Sequence, residues 1–143
     1  MATSGTGDFG EIDVAQATAG VLQDRPIVAY ALIFGSRARH SQRPGSDLDV
    51  ALGLRAGATL EAAALGSLIA DLEAATGLTV DITVLDEAPP ALAFRVFRDG
   101  QPVLVRDRAR MAERRARAIL DYLDFRPCEE LCADGVLRAA ARG

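Results

Sequence analysis

The sequence predicts one α/β (α+β) domain, a small mixed β-sheet flanked by helices that cover mainly one of its faces. Three observations carry this expectation. Ile27 to Phe34 is an unbroken apolar run of strand length, closed by Pro26 and Gly35, as a buried central strand requires. Leu78 to Leu85 alternates strictly, with Val80, Ile82 and Val84 on one face and Thr79, Asp81 and Thr83 on the other. Around these strands lie apolar stripes at helical spacing, such as Leu65, Leu68, Ile69 and Leu72.

Taken in order, Met1 to Gly10 is small, polar and Gly-rich and reads as a disordered tail. Glu11 to Gln23 forms a first helix through Ile12, Ala15, Ala19 and Leu22, and Pro26 ends it. After the strand Ile27–Phe34, Ser36 to His40 begins a short helix with Ser36 near its N-cap, and residues 41–46 form a loop containing Pro44-Gly45. Ser46 to Leu54 is a second strand. Thr59 caps a helix that runs to Thr76, with Gly77 as its stop. Pro89-Pro90 opens a short helix through Val96 and Phe97, and Pro102 to Val105 is a short strand. A hairpin across Asp99-Gly100 competes for that region, and periodicity does not decide between them. A longer helix spans Asp107 to Phe125 with Ala112, Ala116, Ile119, Leu120 and Leu123 as its buried stripe. Pro127 starts a last short helix, weakened at Gly135, and the chain frays after Arg138. The expected organisation is a tail (1–10), a core (11–106) and a C-terminal helical segment (107–143) packed on the core or on a partner.

With 143 residues, half of them hydrophobic, the chain is large enough for a single buried core. Its net charge of −4 gives no global electrostatic case for nucleic acid or an anionic membrane, and no apolar run approaches the length of a membrane span. Cys128 and Cys132 have no further Cys or His nearby to complete a zinc site and read as small core hydrophobes. A reducing cytoplasm is the default compartment. Six arginines between Arg106 and Arg117 make the last long helix locally basic, by default a solvated face.

The chemistry concentrates in two stretches. An apolar strand runs into Gly35-Ser36-Arg37-Ala38-Arg39, whose backbone N–H groups and guanidinium forks suit phosphate. The second strand then carries Asp47 and Asp49, one residue apart and so on one face. Two such acids repel unless a cation shares them, and Mg²⁺ takes oxygen ligands of this kind. Asp81, in the middle of a later strand's polar face, can join them if the strands are neighbours. Three convergent acids can hold two divalent ions for phosphoryl chemistry, and Asp81 can also serve as general base to an attacking hydroxyl. Asp86 lies on the opposite parity and is the weaker candidate. His40, the single histidine, reads as a turn or surface residue.

Gly35-Ser36, ten intervening residues and Asp47-Leu48-Asp49, with Asp81 beyond, resemble the signature of the DNA polymerase β-like nucleotidyltransferases. Small size, the Phe-Gly-Ser-Arg-Ala-Arg wording, the Val-Asp-Ile-Thr-Val-Leu-Asp strand and the segment Tyr122 to Pro127 are similar to the minimal nucleotidyltransferase (MNT-type) antitoxins. The resemblance implies a nucleotidyltransferase core with C-terminal helices. It also implies ATP held through Gly35 and Ser36, with Arg37 and Arg39 beside it, and two Mg²⁺ ions on Asp47, Asp49 and Asp81. The implied partner is a HEPN-type RNase toxin, silenced by transfer of AMP to a tyrosine hydroxyl. Binding without catalysis, or modification of a small aminoglycoside-like molecule, are the alternatives. The family commonly has glycine at the position of His40, where a left-handed backbone costs histidine more.

Overall fold

A computed structural model of the chain describes residues 6–35 and 47–124, with side chains from residue 14 onward. Its strands are β1 (Val28–Phe34), β2 (Leu48–Leu54), β3 (Val80–Val84) and β4 (Gln101–Val105). Its helices are α1 (Thr6–Gln23), α2 (Ala62–Thr76), α3 (Pro90–Asp99) and α4 (108–124), with a 3₁₀ turn, Leu85–Glu87, after β3. The strands form one sheet in the order β3-β2-β1-β4. The β1–β2 and β1–β4 pairs are antiparallel and β2–β3 is parallel, so the sheet is mixed, as expected.

The unbroken apolar run does form a central strand, with Val28 to Ile33 buried. Helices cover both faces of the sheet, not mainly one. Leu22 of α1 and Leu68 and Leu72 of α2 pack against Ile33, Val50 and Leu52 on the first face. Ala93, Val96 and Phe97 of α3 and Ala118 of α4 pack against Tyr30, Leu32 and Ala51 on the second. A central strand buried on both sides demands a cover on each.

Several boundaries move. α1 starts at Thr6, so it takes in the second half of the stretch read as a tail. β2 starts at Leu48, leaving Asp47 just ahead of it. α2 begins after Glu61, and Thr59 does not cap it. Gly77 does end α2, left-handed at φ 73° with its N–H donating to the Glu73 carbonyl. The Asp99-Gly100 pair ends α3, with the Gly100 N–H donating to the Val96 carbonyl, and no hairpin forms there.

The largest correction concerns α4. Met111, Arg114 and Ala118 turn towards the core, at spacings of three and four. The stripe expected to be buried faces outward, with Ile119, Leu120 and Leu123 at 36%, 56% and 52% exposure and Ala112 and Ala116 also exposed. Stacking of Tyr122 on Phe94 (ring centroids 4.2 Å apart) fixes this rotation. The basic run on the same helix is only partly a solvated face. Arg106, just ahead of α4, donates to the carbonyls of Arg25 (2.8 Å), Val28 (2.9 Å) and Leu22 (3.3 Å), closing the turn after α1. Cys128 and Cys132 and the expected last helix lie outside the described residues.

Candidate active site

β2 and β3 run parallel with Asp49 paired to Asp81 in register, so the two carboxyls stand side by side on the second face of the sheet. Leu48 and Val50, on either side of Asp49, are fully buried on the opposite face and lock that parity. Asp47, one residue before β2 and exposed, shares the parity of Asp49. Burial, then the negative charges of Asp81 and Asp47, raise the Asp49 carboxyl above its ordinary value. Asp81 and Asp47 thus both act electrostatically on Asp49.

Gly35 closes the locus from β1. Its backbone is left-handed, at φ 80°, and a Cβ there would lie 2.3 Å from Oδ2 of Asp49. The Asp49 carboxylate sits in the notch that the missing side chain leaves, so glycine is required twice over. Phe34, opposite Asp49 in the β1–β2 register, flanks the notch. Ser36, Arg37, Arg39 and His40 lie outside the described residues.

Among the described residues, no three His, Cys, Asp or Glu side chains are grouped closely enough to hold a metal ion unaided. The donor set nevertheless fits Mg²⁺, which binds through one or two carboxylates completed by water and phosphate oxygens and needs no closed protein cage. Burial and then the neighbouring carboxylates hold the Asp49 carboxyl above its ordinary value, and a cation bound beside it would favour its ionised form.

Asp86 has a different task. Its Oδ1 accepts from the Leu54 N–H (3.0 Å) and its Oδ2 from Nη2 of Arg110 (3.0 Å), while Nε of Arg110 donates to the Leu54 carbonyl (2.7 Å). This bracket ties the end of β2 to α4, and it was not legible in the sequence because its members are far apart along the chain. Arg95 was missed as well. It lies on the exposed side of α3 and, with Phe34, Gly35, Leu92 and Asp99, lines a cavity of about 120 Å³ beside the notch.

A family model described as polymerase beta, nucleotidyltransferase, matches residues 16–109. The fold is similar to that of a toxin–antitoxin crystal structure with AMP-PNP (TM-score 0.76, 22% identity, 86% of this chain and 98% of that one). It is similar to the MntA-HepT toxin–antitoxin structure (TM-score 0.69, 21% identity, 91% and 98%). A third likeness is to a tri-AMPylated Shewanella oneidensis HEPN toxin in complex with MNT antitoxin (TM-score 0.72, 20% identity, 89% and 98%). No curated protein matches the sequence. Among the described residues, no helix is long and apolar enough to cross a membrane.

Proposed function

The chain belongs to the polymerase β nucleotidyltransferase family, and from that premise we propose that it is an antitoxin that transfers AMP from ATP to a tyrosine hydroxyl of a cognate HEPN-type RNase toxin. The observation that carries the reading is the in-register pair of Asp49 and Asp81, with Asp49 seated in the Gly35 notch. A pure binding module gains nothing from a half-buried carboxyl, Asp49, whose ionised form is disfavoured by burial and by two neighbouring acids. The likeness to a solved complex of an MNT antitoxin with a HEPN toxin, and to a toxin–antitoxin structure with AMP-PNP, supports the choice of partner and of nucleotide.

In this reading Asp47, Asp49 and Asp81 hold two Mg²⁺ ions. When bound, these supply charge neutralisation at the phosphates and an electrophilic environment at the acceptor oxygen. The chain's own residues do the rest. The carboxylate of Asp81 accepts the proton of the acceptor hydroxyl. That oxygen forms a bond to the α-phosphorus while the bond from the α-phosphorus to the bridging oxygen breaks, and pyrophosphate leaves with its electron pair. Gly35, with no side chain of its own, lets the Asp49 carboxylate sit against the turn that would meet the phosphate chain. Rate enhancement rests on positioning and fixed charge, without a covalent enzyme intermediate.

The test is direct. The full chain is incubated with ATP, Mg²⁺ and the toxin encoded beside it, and the toxin's intact mass is measured. One or more added adenylyl groups, lost with Asp49→Asn, are the expected result. An unmodified toxin that is nonetheless inhibited would establish neutralisation by binding alone. Adenylylation of a small hydroxylated compound in the absence of any protein acceptor would reassign the substrate.

A further inference from the structure

The cavity beside the Gly35 notch is walled by Phe34 and Gly35 from the end of β1 and by Leu92, Arg95 and Asp99 from α3. Its volume of about 120 Å³ is ample for several waters and so for a phosphate group. Gly35 is shared: it lines the cavity on one side, and the notch that its missing side chain leaves is filled by Oδ2 of Asp49.

The charges around it are unevenly committed. Nε and Nη2 of Arg98 donate to the two carboxylate oxygens of Asp99, at 2.9 and 3.0 Å. That pairing offsets the one acid in the cavity wall. Arg110 is held by Asp86 and the Leu54 carbonyl, and Arg106 by backbone carbonyls. Arg95 has neither an ion pair nor a hydrogen bond among the described residues, although it sits in the wall of a cavity near the site's negative charge. A solvated surface arginine gains nothing from that position. A guanidinium that must meet an anion does, because its planar fork matches phosphate oxygens in pairs.

We propose that Arg95 is a nucleotide-positioning residue that pairs with the phosphate chain of ATP in the cavity between α3 and Gly35. The assignment rests on the nucleotidyl-transfer reading above and adds to it a cation from α3, the helix that covers the same face of the sheet as the acids. α3 then both covers the core, through Ala93, Val96 and Phe97, and presents Arg95 to the substrate from its opposite side.

Calorimetric titration of the full chain with a non-transferable ATP analogue, in Mg²⁺, tests the assignment against adenosine as the phosphate-free probe. The expected result for Arg95→Ala is affinity for the analogue weakened about tenfold or more, unchanged affinity for adenosine, and partial recovery in Arg95→Lys. In steady-state assays the loss falls on KM for ATP more than on kcat. Arg95 is exposed, so Tm stays unchanged in both variants. Equal analogue affinity in wild type and Arg95→Ala overturns this inference alone and leaves the nucleotidyl-transfer reading standing. An equal loss for adenosine also overturns it, since contact would then be with the nucleoside. A wild-type chain that binds no analogue overturns the inference together with the reading beneath it.

Discussion

On the α1–α2 side, the strands present Ile33, Val50, Leu52 and Val80 to Leu68 and Leu72, an aliphatic layer with no charged residue in its buried core. On the α3–α4 side, the same strands present Tyr30, Asp49, Gly53 and Asp81. There the packing is interrupted by a notch at Gly35, a phenol with no well-formed hydrogen bond among the described residues and a charged bracket between Asp86 and Arg110. The two faces come from one set of residues read at alternate positions. One face has given up its polar groups and supplies stability. The other accepts repulsion and imperfect packing, and that is where a ligand would have something to neutralise.

The sharpest way to break this division is Asp49→Asn. Transferase activity should fall at least about a thousandfold, as expected when a charge that holds the reacting group is removed. Metal-free Tm at neutral pH should rise, because the fold holds the Asp49 carboxyl above its ordinary value and thereby disfavours its ionised form. The associated stability is fully present below the unfolded carboxyl's pKa and is lost as pH rises through the raised, folded one. The Tm advantage of Asn over Asp should therefore be present at pH 7 in chelator and fade at acid pH. A lower Tm for Asp49→Asn would mean that the carboxylate stabilises the fold, and the division of labour would fail.

The converse substitution is Leu52→Ala, on the first face and fully buried. Its expected cost is about 3 kcal/mol, from lost transfer energy and a residual cavity. Activity per folded molecule, assayed below the lowered Tm, should be retained. A selective loss of activity in folded protein would show that the aliphatic face also shapes the site.

How much of this contrast was legible beforehand follows from what is coded locally. Strand parity is local, so Asp49 and Asp81 could be assigned to one face, where the structure pairs them in register, while Asp86 accepts from the Leu54 N–H. Gly35 was marked for phosphate, while its second role against Asp49 required knowing that β1 and β2 pair. The rotation of α4 was beyond reach. Ala112, Ala116, Ile119, Leu120 and Leu123 do form a stripe, but a period of 3.6 identifies an apolar stripe without saying what covers it. The inward side is chosen instead by Ala118 and by the Phe94–Tyr122 stack, contacts between distant segments. The same limit hid Arg95 and the Asp86–Arg110 bracket.

Gly53 probes the second face at its tightest point. It pairs with Tyr30 across β1 and β2, and a Cβ there would lie 1.9 Å from Cζ of the Tyr30 ring. The aromatic ring thus covers the backbone of a strand glycine, and each side chain choice depends on the other. Gly53→Ala should cost about 2 kcal/mol by overpacking, read as a lowered denaturation midpoint with an unchanged slope. Combining it with Tyr30→Leu should recover part of the loss, because the clash partner is gone. Additive losses in the double variant would place the strain elsewhere.

The smallest expected effect concerns Tyr30 itself. Its side chain is fully buried, with its ring 6.1 Å from that of Phe97, and among the described residues its hydroxyl has no well-formed hydrogen bond, Arg114 being the group that approaches it. Burial, followed by the Asp86 charge, pushes the phenol up from 10.0 to about 12. A buried hydroxyl with at most a poor hydrogen bond recovers little of its lost hydration, so Tyr30→Phe should be neutral or stabilise the protein by up to about 1 kcal/mol at pH 7. The pH dependence gives an independent check. A phenol raised in the fold favours the native state fully below pH 10.0, and that contribution is lost as pH rises towards about 12. Phe has no such dependence, so its advantage should widen above pH 10.0 in alkaline melts. A loss of more than about 1 kcal/mol at pH 7 would mean that the hydroxyl finds a partner in solution. Arg114, whose charge already acts on the phenol, is the group within reach, and the second face would then be better satisfied than its contrast with the first suggests.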